Sequence, residues 1–307
     1  MSSLVPTGGA VVVETPPPTL QEHRVPVVPR AQRSTLAQVG RVVGLLILII
    51  AAMTALGPLL WTLTTSMRTP AEAFTNPPQW LPLHPDFSNY AAVFDKIPIE
   101  RFFVNSVVVT GLIVLGQTVT CTLSGYAFAM VDFPGRSAIF AAFLATLMVP
   151  LQTIIIPVFV IVRYLGLADT TMSLVVSALG NAFGTFLMRQ YFMQMPRELG
   201  EAARIDGAGH FQVFSRVYAR MAGPAIATLA ILNFSGFWAE FYRPLIFLQT
   251  QDNFTLPLGL VGLQGNLGTG SISVVLAGVV LAMLPSVVLF VVAQRYFIAG
   301  VTAGSSR

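Results

Sequence analysis

Six long apolar segments constrain the fold of this chain more than any other feature. They run from about residue 42 to 63, 102 to 130, 138 to 162, 172 to 192, 221 to 248 and 271 to 293. A helix needs roughly 20 residues to cross a bilayer. The segments lack the alternation of barrel strands, and lipid offers no partners to unpaired backbone groups. The sequence therefore predicts an all-α, polytopic membrane protein with six transmembrane helices.

The distribution of basic residues predicts the orientation of these helices. Charged residues make up only 10% of the chain, against about a quarter in soluble domains. If the N-terminus is cytoplasmic, twelve arginines fall on cytoplasmic segments and four basic residues on outside segments, with Arg243 near a span end. This bias predicts that the N- and C-termini are cytoplasmic. The basic residues are not interleaved with aromatic ones, so no nucleic-acid partner is expected.

One polar segment, residues 196–209, interrupts the apolar pattern, and five of its fourteen residues are charged. Leu199, Ala202 and Ala203 have the spacing of one thin helix face. Gly207 and Gly209 are predicted to end the helix in a left-handed conformation. A short helix of this kind between membrane spans can enter a groove on a soluble partner.

The sequence contains no pattern typical of an enzyme. It has no Gly-rich phosphate loop of the Walker type, and His23, His84 and His210 lie in three separate segments, so no metal site is expected. The middles of the six apolar segments hold no ionisable side chain, whereas ion-coupled carriers usually need one there. An ion-coupled carrier or channel acting without an ATPase stays open as an alternative.

Two pairs of polar residues lie within or beside the spans. Glu240 and Arg243 are three residues apart and are expected to pair on one helix face. They form either a structural ion pair at the outer boundary or a polar gate in contact with solute. Asn181 and Asn233 either hydrogen-bond across helices or line a polar path.

An ordered set of motifs resembles the permeases of ABC importers. Glu201-Ala202-Ala203, followed after three residues by Gly207, is similar to the EAA loop of that family. The surroundings resemble the second permease of carbohydrate importers of the maltose type, a binding-protein-dependent transport system inner-membrane component. The supporting motifs are residues 124–129, 133–136, 148–150, 196–209, 237–241, 244–245, 255–259 and 294–297. One departure is Val217–Arg220, where the family usually has Ile-x-Leu-Pro and this chain lacks the proline.

The resemblance implies a type I ABC importer permease fold and a multi-subunit complex. The partners would be a homologous second permease, two ATPase subunits, an outside solute-binding protein and membrane lipid. ATP and Mg would be bound by the ATPases, so this chain would hold no cofactor and have no enzymatic activity. The residues implied in ATPase coupling are Glu201, Ala202, Ala203, Arg204, Asp206 and Gly207. The solute would be a sugar or oligosaccharide, or alternatively a non-sugar such as glycerol phosphate.

These inferences divide the chain into four parts. Residues 1–40 are expected to be a disordered cytoplasmic tail, and residues 41–100 the first transmembrane helix and an outside loop. Residues 101–296 would form the permease core, with the coupling loop at 194–220, and residues 297–307 a cytoplasmic C-terminal tail.

Overall fold

The computed structural model describes residues 35–69, 72–73, 81–82, 84–265 and 270–303, with side chains placed between 40 and 293. The described part of the chain is helical throughout. The helices are α1 (Thr35–Ser66), α2 (Ser88–Lys96), α3 (Ile99–Met130), α4 (Arg136–Ala145), α5 (Leu151–Tyr164), α6 (Thr171–Ala178), α7 (Ala182–Phe192), α8 (Glu198–Ile205), α9 (His210–Gln212), α10 (Ala219–Met221), α11 (Gly223–Trp238), α12 (Tyr242–Phe247), α13 (Leu256–Gly259) and α14 (Ile272–Ala303). A π-helical turn, Val213–Tyr218, joins α9 to α10.

Two helices extend beyond the boundaries predicted from sequence. α1 begins at Thr35, inside the stretch expected to be a tail, and α14 continues through Ala303. Neither extension contains a proline, so nothing in the sequence stops the helix at the edge of the apolar run. The rest of the two predicted tails, residues 1–34 and 304–307, lies outside the described residues. The chain divides into one unit that ends at Thr54 and a second that begins at Ala55.

The described residues contain six candidate spans if each bent helix pair is counted as one span, namely three unbroken helices and three bent pairs. The unbroken helices are Gly40–Ser66, Ile99–Met130 and Ile272–Ala293. The others are helix pairs bent by 105° between α4 and α5, 43° between α6 and α7, and 76° between α10 and α11. The bends lie at Pro150, at Gly180-Asn181 and next to Gly223-Pro224, residues that interrupt or end helices. The number and order of the spans match the prediction.

The fifth span is shorter than the sequence predicts. We expected it to run to about Leu248, but α11 ends at Trp238 and a separate short helix, α12, begins at Tyr242. Apolar residues resume in α12 after Glu240 and Arg243, so average hydropathy over this region did not reveal the end of the helix, although Pro244 is a local sign of a break. Glu240 therefore lies in the connection between α11 and α12.

Helix α3 is the centre of the second unit and packs closely against α7. Close approach depends on glycine: a Cβ on Gly125 would lie 2.6 Å from the Cβ of Met188, and one on Gly184 would lie 2.7 Å from the Cys121 sulfur. Small residues of this kind let membrane helices approach backbone to backbone. Apolar side chains elsewhere on the outside of this unit, such as those along α14, are exposed, as expected for a surface in lipid.

Asp169 joins two loops on the side of the molecule where α3 begins. Its carboxylate accepts hydrogen bonds from the backbone amides of Gln249 (2.8 Å) and Thr250 (2.9 Å), and its backbone oxygen accepts one from the Asn253 side chain. The Thr250 hydroxyl and these amides lower the pKa of Asp169 to about 2. Asp169 has a φ of 55°, an unusual backbone conformation for a residue other than glycine. The loop before α6 is thus tied to the loop after α12.

Candidate functional site

The polar segment forms helix α8, as the sequence predicts. Glu198 and Glu201 lie in its first turn and Arg204 in its last, an order that complements the helix dipole. Gly207 has a φ of 86°, and the amides of Gly207 and Ala208 donate to the carbonyls of Arg204 and Ala203. These two bonds make a Schellman ending. Gly209 has extended backbone geometry, so the expectation of a left-handed conformation there was wrong.

Helix α8 is attached to the bundle through Gly200 and Ala203. Gly200 is buried against Tyr218, and a Cβ at this position would lie 2.7 Å from the Tyr218 hydroxyl oxygen. That hydroxyl donates to the carbonyl oxygens of Pro196 (3.2 Å) and Arg197 (3.4 Å). Ala203 is half-buried and packs against the same cluster. Leu199 and Ala202, which the spacing places on one face with Ala203, are exposed, because Tyr218 determines which side of α8 packs inward.

The opposite face of α8 is open and carries both charge and an apolar side chain. Glu201, Ala202, Arg204 and Asp206 are exposed, and the Ile205 side chain is 87% exposed. Between α8 and the end of α3 lies a polar recess of about 130 Å³, and its lining includes Tyr126, Asp132, Arg197, Glu201 and Arg204. The open face of α8 thus presents one apolar side chain among charged groups.

Three arginines from different elements bind the carbonyl end of α3. Arg189 of α7 donates to the carbonyl of Phe128 at 3.2 Å, Arg197 donates to that of Ala129 at 3.4 Å, and Arg136 of α4 donates to that of Val131 at 3.1 Å. Cations at this position also complement the negative end of the α3 dipole. The segment that leads into α8 is thus held against the end of α3 by Arg197 and against Tyr218 by its backbone carbonyls. Arg189 and Arg136 hold α7 and α4 against the same end of α3.

The missing family proline does not remove the bend after the coupling segment. Val217–Arg220 lie in the π-helical turn and in α10, and the 76° bend comes two residues later, at Ala222. Pro224 occupies the first turn of α11, where its missing N–H costs nothing. π-Helical turns inside α-helices are rare and occur frequently at functional sites.

The two asparagines predicted to interact do meet, and a glutamine that sequence reasoning missed joins them. The Asn181 side-chain amide donates to the side-chain oxygen of Asn233 (Oδ1) at 3.4 Å and to the side-chain oxygen of Gln117 (Oε1) at 2.8 Å. Its own oxygen accepts the Gly184 amide at 2.9 Å and so caps α7. Gln117 is only 2% exposed. It lies in the middle of an apolar run, and a polar residue at such depth was the available signal.

Glu240 and Arg243 also meet, in a buried ion pair. The Arg243 Nη2 donates to the Glu240 Oε2 at 2.7 Å, and Arg243 is 5% exposed. The same guanidinium donates to the Ser177 hydroxyl at 3.3 Å and lies 5.1 Å from the centroid of the Phe237 ring. The pair bridges the break after α11. It therefore does not lie on one helix face, and our expectation on that point was wrong. It thereby holds α12 against α6.

Comparison with known proteins identifies the family. The model of the binding-protein-dependent transport system inner membrane component matches residues 102–302. The chain belongs to this family. Its members are permease components of multi-subunit import systems in the bacterial cytoplasmic membrane.

Several relatives are similar over most of their length. The chain is 34% identical to the arabinooligosaccharides transport system permease protein AraQ of Halalkalibacterium halodurans, over 83% of this chain and 92% of the relative. It is 29% identical to the galactooligosaccharides transport system permease protein GanQ of Bacillus subtilis, over 85% and 94%. It is 30% identical to the diacetylchitobiose uptake system permease protein NgcG of Streptomyces coelicolor, over 85% and 87%.

A solved structure confirms the fold. The chain superimposes with a TM-score of 0.77 on a chain from a bacterial ABC transporter involved in the import of the acidic polysaccharide alginate, covering 86% of this chain and 98% of the other at 26% identity. The predicted all-α fold of the type I ABC importer permeases is thereby confirmed, as is the family resemblance. The roles of the individual site residues stay predictions.

Proposed function

We propose that this chain is a permease subunit of an ATP-driven importer for a sugar or oligosaccharide. The support is that the relatives described above act on arabinooligosaccharides, galactooligosaccharides and diacetylchitobiose, and that the structural relative imports alginate. The proposed complex also contains a homologous second permease, two ATPase subunits and an outside solute-binding protein. ATP and Mg bind to the ATPases, and this chain contributes the membrane path.

The open face of α8 carries the proposed contact with an ATPase. Ile205 enters an apolar part of the groove, while Glu201 and Arg204 make polar contacts at its edge. The recess beside Asp132 accepts a polar side chain of the ATPase. When ATP draws the two ATPases together, α8 moves with the groove that holds it. The rest of the permease follows α8, because Gly200 and Ala203 fix this helix to the bundle. In this arrangement the α8 end of the molecule and both termini are cytoplasmic, as the arginine distribution predicts.

Glu240 and Arg243 are proposed to form a gate. The pair connects α12 to α6, and a buried ion pair is costly to leave half-made. If α12 separates from α6 when the path opens outward, hydroxyl groups of the solute can replace the hydrogen bonds that Arg243 makes to α6. Polar, uncharged partners of this kind are what a sugar offers.

The test of coupling is ATP hydrolysis by the reconstituted complex, with and without the loaded binding protein. Glu201→Lys and Ile205→Asp alter the open face of α8, and we expect each to abolish the stimulation while the complex still inserts into the membrane. Asp95→Lys is the control, because Asp95 is an exposed carboxylate on α2, which packs at the other end of α3. Wild-type stimulation in both α8 variants would refute the coupling role.

The solute is identified separately, by measuring the affinity of the cognate binding protein for a panel of sugars and sugar derivatives. The panel includes glycerol phosphate and sulfoquinovosyl glycerol, because one relative, SmoH of Agrobacterium fabrum, belongs to a sulfoquinovosyl glycerol transport system. Preference for an oligosaccharide supports the proposal, and binding of glycerol phosphate alone contradicts it.

A further inference from the structure

The break in the fourth span is held by side chains of α3. Between α6 and α7, the carbonyl of Ala178 accepts a hydrogen bond from the Gln117 amide, and that of Leu179 accepts one from the Thr120 hydroxyl at 3.1 Å. Lipid could not satisfy these carbonyls, and a broken helix at membrane depth needs such partners. The break therefore depends on α3.

Gln117 is the centre of this arrangement because it bonds on both sides of the break. Its amide nitrogen serves the end of α6, and its oxygen accepts the Asn181 side chain, which in turn caps the start of α7. An apolar side chain of the same length could do neither. Gln117 thus links the two helices on either side of the 43° bend between α6 and α7.

The break also carries two signs of a second conformation. The Asn233 Nδ2 is buried and has no hydrogen-bond partner, although Asn233 is only 6% exposed. Buried donors are rarely left unpaired, and an exception is a place where a structure stores strain. Next to Asn181, a Cβ on Gly180 would meet nothing within 4 Å, so the chain has room to rearrange there.

We infer that Gln117 is a positioning residue for transport and that the break between α6 and α7 is a hinge of the cycle. In the conformation seen here Gln117 holds the hinge closed, and the unpaired Asn233 donor opposes closure. When the hinge opens, the Asn233 amide gains a partner and the hydrogen bonds of Gln117 are exchanged. This inference rests on the proposed function for its transport step.

The chain contains its own reporter of the hinge. Cys121 is its single cysteine, is 1% exposed, and has its sulfur 3.5 Å from the carbonyl oxygen of Asn181. A thiol packed this tightly reacts slowly with a maleimide, and opening of the break exposes it. The rate of alkylation of Cys121, followed by mass spectrometry of this chain, therefore measures how often the hinge opens.

The experiment uses the reconstituted complex with N-ethylmaleimide as the probe. In the wild type we expect slow labelling without nucleotide and labelling at least about tenfold faster during ATP turnover. Gln117→Met removes both hydrogen bonds at similar length, so labelling should be fast without nucleotide and uptake per ATP should fall. Gln190→Met is the control, because Gln190 is a half-buried glutamine near the other end of α7; it should label as the wild type does.

Asn233→Leu provides a result of opposite sign. It removes the unpaired donor together with an oxygen that accepts only the long 3.4 Å bond from Asn181, and Asn181 keeps its shorter 2.8 Å bond to Gln117. Labelling should therefore stay slow even during turnover. A variant that merely loosens the bundle would label faster, which separates the hinge from general destabilisation. Fast labelling of Asn233→Leu, or labelling of Gln117→Met at the wild-type rate without nucleotide, overturns the inference.

The two proposals fail in different ways. A wild-type complex that takes up no solute with ATP contradicts the proposed function, yet the comparison of Gln117→Met with wild type without nucleotide still tests the positioning role. A complex that transports while Cys121 stays protected throughout contradicts only the hinge.

Discussion

Replacing Gly200 by alanine tests whether α8 is held in place by its contact with Tyr218. The added methyl group would lie 2.7 Å from the Tyr218 hydroxyl oxygen and 3.0 Å from its Cε2. Tyr218 has little freedom to move away. It is 3% exposed, its hydroxyl is bonded to two carbonyls, and its ring lies 5.5 Å from that of Tyr126. We therefore expect α8 to shift outward.

Two effects of this substitution oppose each other. Alanine favours a helix over glycine by about 0.5–1 kcal/mol, which stabilises α8 itself. Overpacking a filled site costs typically 1–3 kcal/mol, and displacement of Tyr218 adds the loss of about one hydrogen bond, roughly 1 kcal/mol. Since the cost is larger than the gain, we expect the attachment of α8 to weaken by about 1–3.5 kcal/mol. That corresponds to a change of about 5- to 300-fold in the population of the detached helix.

Hydrogen exchange measures this population directly. Amides of α8 should exchange about 5- to 300-fold faster in Gly200→Ala than in the wild type, and stimulation of ATP hydrolysis by the binding protein should fall. Gly209→Ala is the matched control, because Gly209 has a φ of −71° and a Cβ there would meet nothing within 4 Å. In a Tyr218→Phe background the cost of Gly200→Ala should be smaller, because the nearest atom is gone.

Exchange at the wild-type rate in Gly200→Ala would show that this contact does not hold α8. An equal cost in the Tyr218→Phe background would place the clash elsewhere. Faster exchange with full stimulation of ATP hydrolysis would show that coupling does not require α8 to be firmly attached. Burial of Gly200 would then have no role in coupling.

Three further predictions concern the ends of elements and the ion pair. Gly207→Ala places a side chain at a φ of 86°, which costs about 1–2 kcal/mol, so exchange at the end of α8 should rise while Gly207→Asn has a smaller effect. Glu240→Gln leaves the buried Arg243 without its counter-charge, which costs about 3–5 kcal/mol; the thermal midpoint of the complex should drop, and adding Arg243→Met should recover part of it. Because the pKa of Asp169 is lowered to about 2, its stabilisation is complete above the ordinary pKa of 3.8 and is lost as the pH falls through about 2. Asp169→Asn should therefore raise exchange in the loop around Thr250 at neutral pH, and acid should lower the protection of this loop in the wild type relative to the slow intrinsic exchange at that pH. Unchanged protection would contradict this role.

The spans could be predicted from sequence because lipid imposes a length and an apolar composition on each. The breaks were visible as Pro150, Gly180-Asn181 and Pro224, although their angles were not. The end of the fifth span was missed because apolar residues resume after Glu240, Arg243 and Pro244, although Pro244 was a local sign that the helix stops. The turn after Trp238 also depends on tertiary contacts. Among these is the bond from the Trp238 indole N–H to the carbonyl of Ala282, 44 residues away.

The candidate site was predictable in its composition but not in its direction. Helix α8 follows local rules: acidic residues lie in its first turn, an arginine lies in its last turn, and Gly207 follows its end. Which face points inward depends on Tyr218, a contact across the loop that local spacing does not encode. Gln117 was missed for a related reason: its partners lie some 60 residues away on the fourth span.

Helix α3 relates the two ends of the molecule mechanically. It is continuous over 32 residues, a length of about 48 Å, whereas the third, fourth and fifth spans are all bent. At its C-terminal end the Ala129 carbonyl binds Arg197, which precedes α8. In its middle Gln117 holds the break of the fourth span. Near its start the Ser106 hydroxyl accepts the Leu256 amide at 2.7 Å. An unbroken helix that contacts the moving parts near both ends and in its middle can transmit a displacement as a rigid body. No series of small side-chain shifts is then needed. Contact alone does not establish coupling. Gly200→Ala displaces Tyr218, whose ring packs against Tyr126 of α3, and Gln117→Met acts near the middle of the same helix. Rigid transmission therefore requires their effects on uptake to be non-additive, whereas independent local roles require them to add.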